Sequence, residues 1–390
     1  MRFRAPIAIT LLCIPPVISA QNPQARYQAA KILYAAHAQQ FFHDSSPQAV
    51  QALIEMNTAA ADAVVLTLSH NPNALSSDLE ATLCHLDDSA CKSNESSQSV
   101  AQIAPHLFVA SHAYSEVGMV FVVGFHGAHP AILWSISSTP TQAADPHRLL
   151  AAWKPERAAE SCRDHLNETR WATCGPLYAS VGALPSDAQG FPRFYIDGNY
   201  AQSAGLTVAQ QTSVWRWGHG TATPLWIHQS IAAMDRTVGT TFTAGILAIG
   251  EKSEYRSFCA LDAGDGREMV RRVHITPTGV QDLGTRPAYP EIDLVDTLFR
   301  RLVSHRPTAD IAAPEIAKLL DPQSQDLGSI ESSSVIYDGA IARICLITDG
   351  TARLDFTLEK VAGKPRLTNV VQHRGDYNAC PRPSESVGIP

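Results

Sequence analysis

The stretch VAQQTSVWRWGHGTATPLWIHQSIA, residues 208–232, shows most directly how this chain folds. β-prone residues lie on both sides of Gly218-His219-Gly220, and glycine accepts the positive φ that tight hairpin turns need. Trp215 and Trp217 are two positions apart, so on a strand they share one face. The pattern predicts two antiparallel strands joined by a hairpin.

Similar short β-prone runs, separated by turns, extend outward from this hairpin over residues 101–286, and a polar, proline- and alanine-rich stretch at 140–190 interrupts them. Residues 119–125 and 131–137 flank His126-Gly127-Ala128-His129, which predicts another hairpin. Because the runs are consecutive and closely spaced, they predict an antiparallel meander. No internal repeat identifies propeller blades, so a sandwich, an open barrel and a propeller-like arrangement all remain compatible with the sequence.

Residues 21–100 have a helical pattern instead. Ser46-Pro47 begins a helix, with serine as N-cap and proline at the first position. Apolar residues recur at helical spacing over 50–68. Ser77 followed by Glu80 is a capping-box signature for a third helix.

A third region covers residues 287–380, before a tail at 381–390 that is predicted to be disordered. A helical stripe over 291–303 has acidic residues at its start and arginines at its end, which complements the helix dipole. A short helix at 314–320 and several strands follow. The whole sequence predicts an α+β chain with N-terminal helices, a central antiparallel β meander and a C-terminal helix-plus-curved-sheet domain.

The order of elements in this last region resembles the SnoaL-like or ketosteroid-isomerase-like α+β roll. The resemblance covers about a quarter of the chain and rests on helix 291–303, helix 314–320 and strands ending in Gly363-Lys364-Pro365-Arg366-Leu367. It implies helices packed on a curved sheet whose concave face often holds a ligand. Catalytic members of that family place paired acids and a tyrosine in the pocket. No residue here matches those positions, so the resemblance implies no catalytic residue.

The first 20 residues predict export. Arg2 and Arg4 precede an apolar stretch, and Ile18-Ser19-Ala20 forms a cleavage boundary that leaves Gln21 as the first mature residue. The stretch is shorter than the roughly 20 residues that a membrane-spanning helix needs. The mature chain, residues 21–390, is therefore predicted to be periplasmic or secreted, with no transmembrane segment.

Composition narrows the range of partners. The net charge is −7, and removal of residues 1–20 takes away two arginines and no acidic residue. An acidic chain of this kind is not expected to bind nucleic acid or anionic membranes. Its partners are otherwise unknown, with a small molecule or a glycan as the expected kind of ligand.

In an oxidising compartment the cysteines are expected to pair. Two pairs are close in sequence, Cys84 with Cys91 and Cys162 with Cys174. At least one of them is predicted to be a disulfide. Cys345 with Cys380 is a further candidate, which would hold the C-terminal tail.

No metal or cofactor is predicted. His126 and His129 are two ligands where zinc needs a closed set. The run 84–91, although rich in cysteine, histidine and aspartate, suits a disulfide-closed acidic loop better than a metal site. Asp262 and Asp265 lie in a glycine-rich turn that lacks the further ligands of a calcium loop.

The aromatic residues form the most distinctive candidate site. Trp215, Trp217 and Trp226 lie on neighbouring predicted strands, where three indoles would form a stacking platform for a flat or sugar-like ligand. The alternative is a hydrophobic core, because aromatic residues are good strand formers and stabilise cross-strand pairs. We favour the core.

Two functions follow from these observations. The G-x-S-x-G, H-E-x-x-H, P-loop and G-x-G-x-x-G signatures do not occur in the sequence. The sequence therefore favours a non-catalytic exported protein that binds a ligand or associates with the envelope. The alternative is an exported hydrolase of unrecognised type that acts on envelope or environmental polymers.

Overall fold

The computed structural model confirms the α+β class, with helices at the N-terminus and four antiparallel sheets. It describes the following residues: 22–44, 47–87, 96–115, 117–142, 171–203, 206–231, 239–256, 266–320, 330–338, 341–348 and 352–373. The predicted signal peptide, its cleavage site and the tail at 381–390 lie outside these residues and stay predictions.

Three helices open the described chain: α1 (Pro23–Asp44), α2 (Pro47–His70) and α3 (Ser76–Leu86). The predicted capping box at Ser77 and Glu80 is wrong by two positions. Helix α3 begins at Ser76, and the carboxylate of Asp78 accepts the backbone N–H of Leu75 at 2.8 Å. Aspartate accepts a hydrogen bond from a free backbone N–H at a helix N-terminus as well as glutamate does. The sequence therefore offers two possible start positions for this helix.

Sheet A packs against these helices. Its strands pair in sequence order: β1 (Ser96–Ala104), β2 (Leu107–Tyr114), β3 (Val117–His126) and β4 (His129–Ser137). Every residue of β2 after Leu107 is buried. Phe108 and Ala110 face the helices, whereas Val109 packs into the next layer. Both faces of the strand are buried because sheet A is an internal layer.

Sheet B forms the next layer and contains the hairpin on which the prediction began. Its strands, again in sequence order, are β5 (Thr139–Gln142), β6 (Trp171–Leu184), β7 (Arg193–Ser203), β8 (Leu206–Gly218) and β9 (Thr221–Ile231). His219 and Gly220 have φ of 54° and 77°, which is the backbone of a two-residue hairpin turn. One face of sheet B buries Phe194 and Ile196 against sheet A.

Sheet C covers the opposite face of sheet B. It consists of β10 (Thr241–Thr243), β11 (Ile246–Arg256), β12 (Gly266–Thr276) and β13 (Gly279–Pro287). Leu247, Ile249, Val273 and Ile275 of sheet C share a core with Val214 of sheet B. The meander is therefore folded into three stacked sheets, with the helices on the outer face of sheet A.

The C-terminal part has its own core. Helices α4 (Pro290–Val303) and α5 (Pro314–Leu319) pack on sheet D, whose strands are β14 (Ile330–Asp338), β15 (Ile341–Thr348), β16 (Ala352–Val361) and β17 (Lys364–His373). The helix and strand positions predicted for this region are confirmed. Kinship with the SnoaL-like roll stays a prediction.

One described helix is long and apolar enough to cross a membrane by length and composition alone, over residues 48–70. It belongs to α2, and 56% of its most apolar window is buried inside the protein. Core helices of soluble proteins share this composition, so the absence of a transmembrane segment stays a prediction.

A buried polar chain joins the helices to sheet A. His112 accepts the hydroxyl of Tyr27 at 3.3 Å through Nε2 and donates through Nδ1 to Asn57 Oδ1 at 2.7 Å. The amide of Asn57 donates to two backbone carbonyls, which fixes its oxygen as the acceptor for His112. Burial lowers the pKa of His112 to about 4, against a slight raising effect of Asp87, so this imidazole is neutral near pH 7.

We expect this histidine to make the protein less stable in weak acid. Between pH 6.5 and the folded-state pKa of about 4, the unfolded chain binds a proton that the folded chain does not. The free energy of unfolding is therefore not reduced by this residue above pH 6.5. It falls by roughly 3 kcal/mol as the pH drops through that window. Urea unfolding at a series of pH values measures the effect.

The matched variants are His112→Gln and Tyr27→Phe. The first removes the titrating group, so its unfolding free energy should fall less steeply between pH 6.5 and pH 4 than that of the wild type. The second keeps the buried imidazole and should keep the steep dependence. Equal slopes in the wild type and His112→Gln would show that His112 is not the source.

Candidate functional site

The three tryptophans do not form one platform. Trp215 and Trp217 are buried in the core between sheets A and B, whereas Trp226 packs against the core between sheets B and C. A register shift causes the separation: Val214 pairs with Trp226 and Trp215 pairs with Pro224, so Leu225 is an extra residue in β9. A one-residue bulge moves every later side chain of the strand to the other face.

The cysteine candidates are only partly within the described residues. Cys84 and Cys345 lie within the described residues, but Cys91, Cys162 and Cys380 lie outside them. For Cys174, which lies in β6, the described structure covers only the backbone. The pairings of Cys84 with Cys91, Cys162 with Cys174 and Cys345 with Cys380 therefore stay predictions.

The histidine candidates occupy a turn. His126 and His129 are paired at the end of the β3–β4 hairpin, as predicted. Asp262 and Asp265 lie outside the described residues. Among the residues that the structure describes, no group of three or more histidine, cysteine or acidic side chains is arranged to hold a metal ion.

The strongest candidate site is a row of polar side chains on the face of sheet B that looks toward sheet C. Asp197 of β7 pairs with Thr212 of β8, and Thr212 pairs with His228 of β9. Directly paired residues of antiparallel strands share a face, and Gln210, two positions before Thr212, shares it too. We call Asp197, Gln210, Thr212 and His228 the polar row.

Two hydroxyl groups hold the carboxylate of Asp197. Thr212 donates to Oδ1 at 2.5 Å, and Thr240, just before β10, donates to Oδ2 at 2.6 Å. Asp197 is only 4% exposed. The two hydrogen bonds link β7 to β8 and to the segment that leads into sheet C, so Asp197 has a fixed orientation.

Gln210 differs from Asp197, because one of its polar atoms lacks a hydrogen bond. Its side chain is 4% exposed, and its amide oxygen Oε1 is buried with no hydrogen-bond partner in the described part of the chain. Leaving a buried acceptor unsatisfied costs about 1–3 kcal/mol, and most buried polar atoms in native proteins are paired. Gln210 Oε1 is therefore a buried acceptor with capacity for a further hydrogen bond.

The His228 end of the polar row contacts a buried carboxylate. Glu251 of β11 is 7% exposed, and its Oε2 lies 2.7 Å from His228 Nε2 and 3.3 Å from Arg271 Nε. Thr285 donates to Oε1 at 2.8 Å. Arg271 Nε also lies 3.0 Å from His228 Nε2, so the guanidinium, the imidazole and the carboxylate form one compact cluster.

Opposing effects act on the pKa of Glu251. Burial raises it, but the hydrogen bonds from His228 and Thr285, together with the charges of His228 and Arg271, outweigh burial and hold the pKa below its usual value. The carboxylate is therefore ionised at neutral pH. Through these hydrogen bonds Glu251 links sheet B to three strands of sheet C. Both of its oxygens are occupied, so it stabilises the packing of the sheets and is not positioned as a general base.

Tyr195 lies on the same face, next to the apolar core of sheets B and C. Burial and the nearby charge of Asp197 raise its pKa, so the phenol stays protonated. Its ring occupies the space over Gly182, where a Cβ would lie 2.2 Å from a ring carbon. Only glycine at position 182 leaves room for this ring.

The polar row has a weak signal in the sequence. Residues 210–213, Gln-Gln-Thr-Ser, form a continuous polar run in the middle of β8. Consecutive strand residues point to opposite faces, so this run does not show which face carries the site. Only the stacking of sheet C shows that this face is buried.

Comparisons with known proteins add little. No protein-family model matches the chain, and no curated protein matches it. One similar solved structure comes from a structural and mechanistic study of two prolyl endopeptidases. It is 10% identical, and the alignment covers 84% of this chain and 36% of that chain with a TM-score of 0.24. A TM-score this low supports no inference about fold or function.

Proposed function

We propose that this chain is a non-catalytic exported protein that binds a small polar ligand at the polar row. The observation that supports it best is Gln210 Oε1, a buried acceptor without a partner beside an ordered carboxylate. Binding sites combine apolar walls with a few placed polar groups. Here the apolar wall is the core of sheets B and C, and the polar groups lie at its end.

A thermal-shift screen of sugars, polyols, amino acids, amines and carboxylates tests the proposal. A ligand that binds only the folded protein at about 100 times its Kd adds about 2.7 kcal/mol of stability. We expect at least one class of compound to raise the Tm of the wild type. The same class should leave Gln210→Met unchanged, because methionine keeps the volume of the side chain and removes its acceptor.

Gln211→Met is the matched control. Gln211 is the next residue of β8, it is 7% exposed, and its side chain lies on the opposite face of sheet B. This variant should keep the ligand response. Without ligand, Gln210→Met should be at least as stable as the wild type, because an unsatisfied acceptor has been removed. If no compound stabilises the wild type, the proposal fails; turnover of a compound would favour the exported hydrolase instead.

A further inference from the structure

The two faces of sheet C differ in what they carry. Arg271 of β12 points toward sheet B, where its Nε lies 3.0 Å from His228 Nε2. Side chains alternate along a strand, so Val270, Arg272 and His274 lie on the opposite face. We call this side, which points away from sheet B, the outer face of sheet C.

The strand register extends the outer face across the neighbouring strands. Directly paired residues share a face, which adds Ile246, Ala248 and Gly250 of β11 and Arg286 of β13. Arg286 is exposed, whereas Ile246 and Ala248 are partly buried. The outer face is therefore a flat surface of small and aliphatic residues with basic side chains among them, and these positions include no phenylalanine, tyrosine or tryptophan.

The positive charge of this face is not neutralised within the protein. Neither Arg272 nor Arg286 forms an ion pair in the part of the chain that the structure describes, whereas Arg271, on the other face, forms two. At the end of the face, Lys252 lies opposite Glu268 in the register, so this row adds no net charge. In a chain whose net charge is −7, this face is a local concentration of positive charge.

The spacing of the basic groups suits an extended chain. Arg272 and Arg286 are diagonal neighbours on adjacent strands, which places them roughly 7–8 Å apart. His274 lies two positions after Arg272, about 7 Å along the same strand, and offers a further N–H donor. Alternate residues of an extended peptide repeat at the same distance of about 7 Å. A peptide with an acidic residue at every second position therefore matches these groups.

Other polyanions match the outer face less well. Single-stranded nucleic acids gain much of their affinity by stacking bases on aromatic rings, which these positions lack. Anionic membranes are bound by clusters of about 4–8 lysines and arginines, more than this face carries. An acidic protein segment needs only the two guanidinium groups and the aliphatic surface between them.

We propose that the outer face of sheet C docks an extended acidic segment of a partner protein, whose carboxylates bind Arg272 and Arg286. A guanidinium binds a carboxylate through two parallel N–H donors, and the positive face complements a negative partner. The face lies on the side of sheet C remote from the polar row. This docking is therefore independent of the ligand binding proposed above.

Two matched peptides test the charge requirement on the chain that begins at Gln21. The probes are fluorescently labelled Glu-Ser-Glu-Ser-Glu-Ser and its neutral counterpart Gln-Ser-Gln-Ser-Gln-Ser. Fluorescence anisotropy at low salt should show the glutamate peptide binding at least roughly tenfold more tightly, with an affinity that falls as salt is added. Equal affinities, or no binding of the glutamate peptide, would overturn the proposal and leave the polar row unaffected.

Variants locate the binding. Arg272→Gln combined with Arg286→Gln should weaken the glutamate peptide by at least roughly tenfold. The control, Arg306→Gln combined with Lys318→Gln, removes the same charge from exposed positions in the C-terminal part and should change affinity by less than about twofold. Equal losses in both would show that only the overall charge matters, which contradicts docking at this face.

A single variant and a competing probe complete the design. Arg286→Gln, at an exposed position on the edge strand, should keep the wild-type Tm and still weaken the peptide by about threefold. A heparin-derived tetrasaccharide is the competing probe. If it binds more tightly than the glutamate peptide and depends on the same two arginines, the face recognises an anionic glycan and the inference of a protein partner is wrong.

Discussion

Replacing Trp215 with alanine is expected to lower the free energy of unfolding by roughly 3–5 kcal/mol, because it opens a cavity between sheets A and B. The indole is 8% exposed and lies against two aromatic rings, with its centroid 5.3 Å from that of Trp134 and 6.5 Å from that of Phe194. Its N–H donates to Ser213 Oγ at 2.7 Å, so the truncation also removes a buried hydrogen bond. Urea unfolding of the purified variant measures the loss.

Trp226→Ala is the control for this experiment. Trp226 lies on the paired strand but on the opposite face of sheet B, and its side chain is only partly buried. Its truncation should therefore cost less stability than that of Trp215. An unchanged stability of Trp215→Ala together with lost glycan binding would contradict the core position and restore the platform hypothesis.

Replacing Arg193 with methionine is expected to lower the free energy of unfolding by roughly 2–4 kcal/mol. Arg193 is 1% exposed, and its guanidinium donates to three backbone carbonyls: Pro185 O at 2.6 Å, Thr276 O at 2.7 Å and Ser186 O at 3.3 Å. The side chain thus fixes the loop after β6 to the β12–β13 hairpin. Methionine occupies the space of the aliphatic part of the arginine side chain, but it leaves the buried carbonyls without a hydrogen-bond donor.

Arg216→Met is the matched control, because Arg216 pairs directly with Arg193 in sheet B. Its guanidinium is partly exposed, lies 3.8 Å from the carboxylate of Asp187 and covers the ring of Phe191. Contacts of this exposed kind contribute about 1 kcal/mol or less. Equal losses in the two variants would show that burial of the Arg193 guanidinium is not what matters.

Much of the secondary structure could be predicted because its causes are local. The turn at Gly218-His219-Gly220 needs residues that accept positive φ, and proline at position 47 suits the first turn of a helix. The strand over 352–359 alternates apolar and polar residues because one face of sheet D is covered by helices. These signals act within a few residues, so the sequence shows them directly.

The candidate site was harder to find, because the residues that define it are far apart in the chain. Regular strand pairing predicts a platform of Trp215, Trp217 and Trp226, but the extra residue Leu225 places Trp226 on the other face. A glutamine in a strand has no distinctive pattern, so the sequence gives no sign of Gln210. Its significance comes only from the burial of its unpartnered oxygen.

The sequence by itself determined most of the helices and strands, several hairpin turns, and that the chain is α+β, but it did not show β6 (Trp171–Leu184), which lies in the stretch that interrupts the strand pattern. Only the tertiary structure decided which strand faces are buried, because three similar meanders stack face to face and no local rule specifies their order. The same stacking brings Arg193 to the carbonyl of Thr276 and His228 to Glu251. Such contacts arise from the packing of whole sheets, so residues more than 20 positions apart become neighbours only after the sheets have packed.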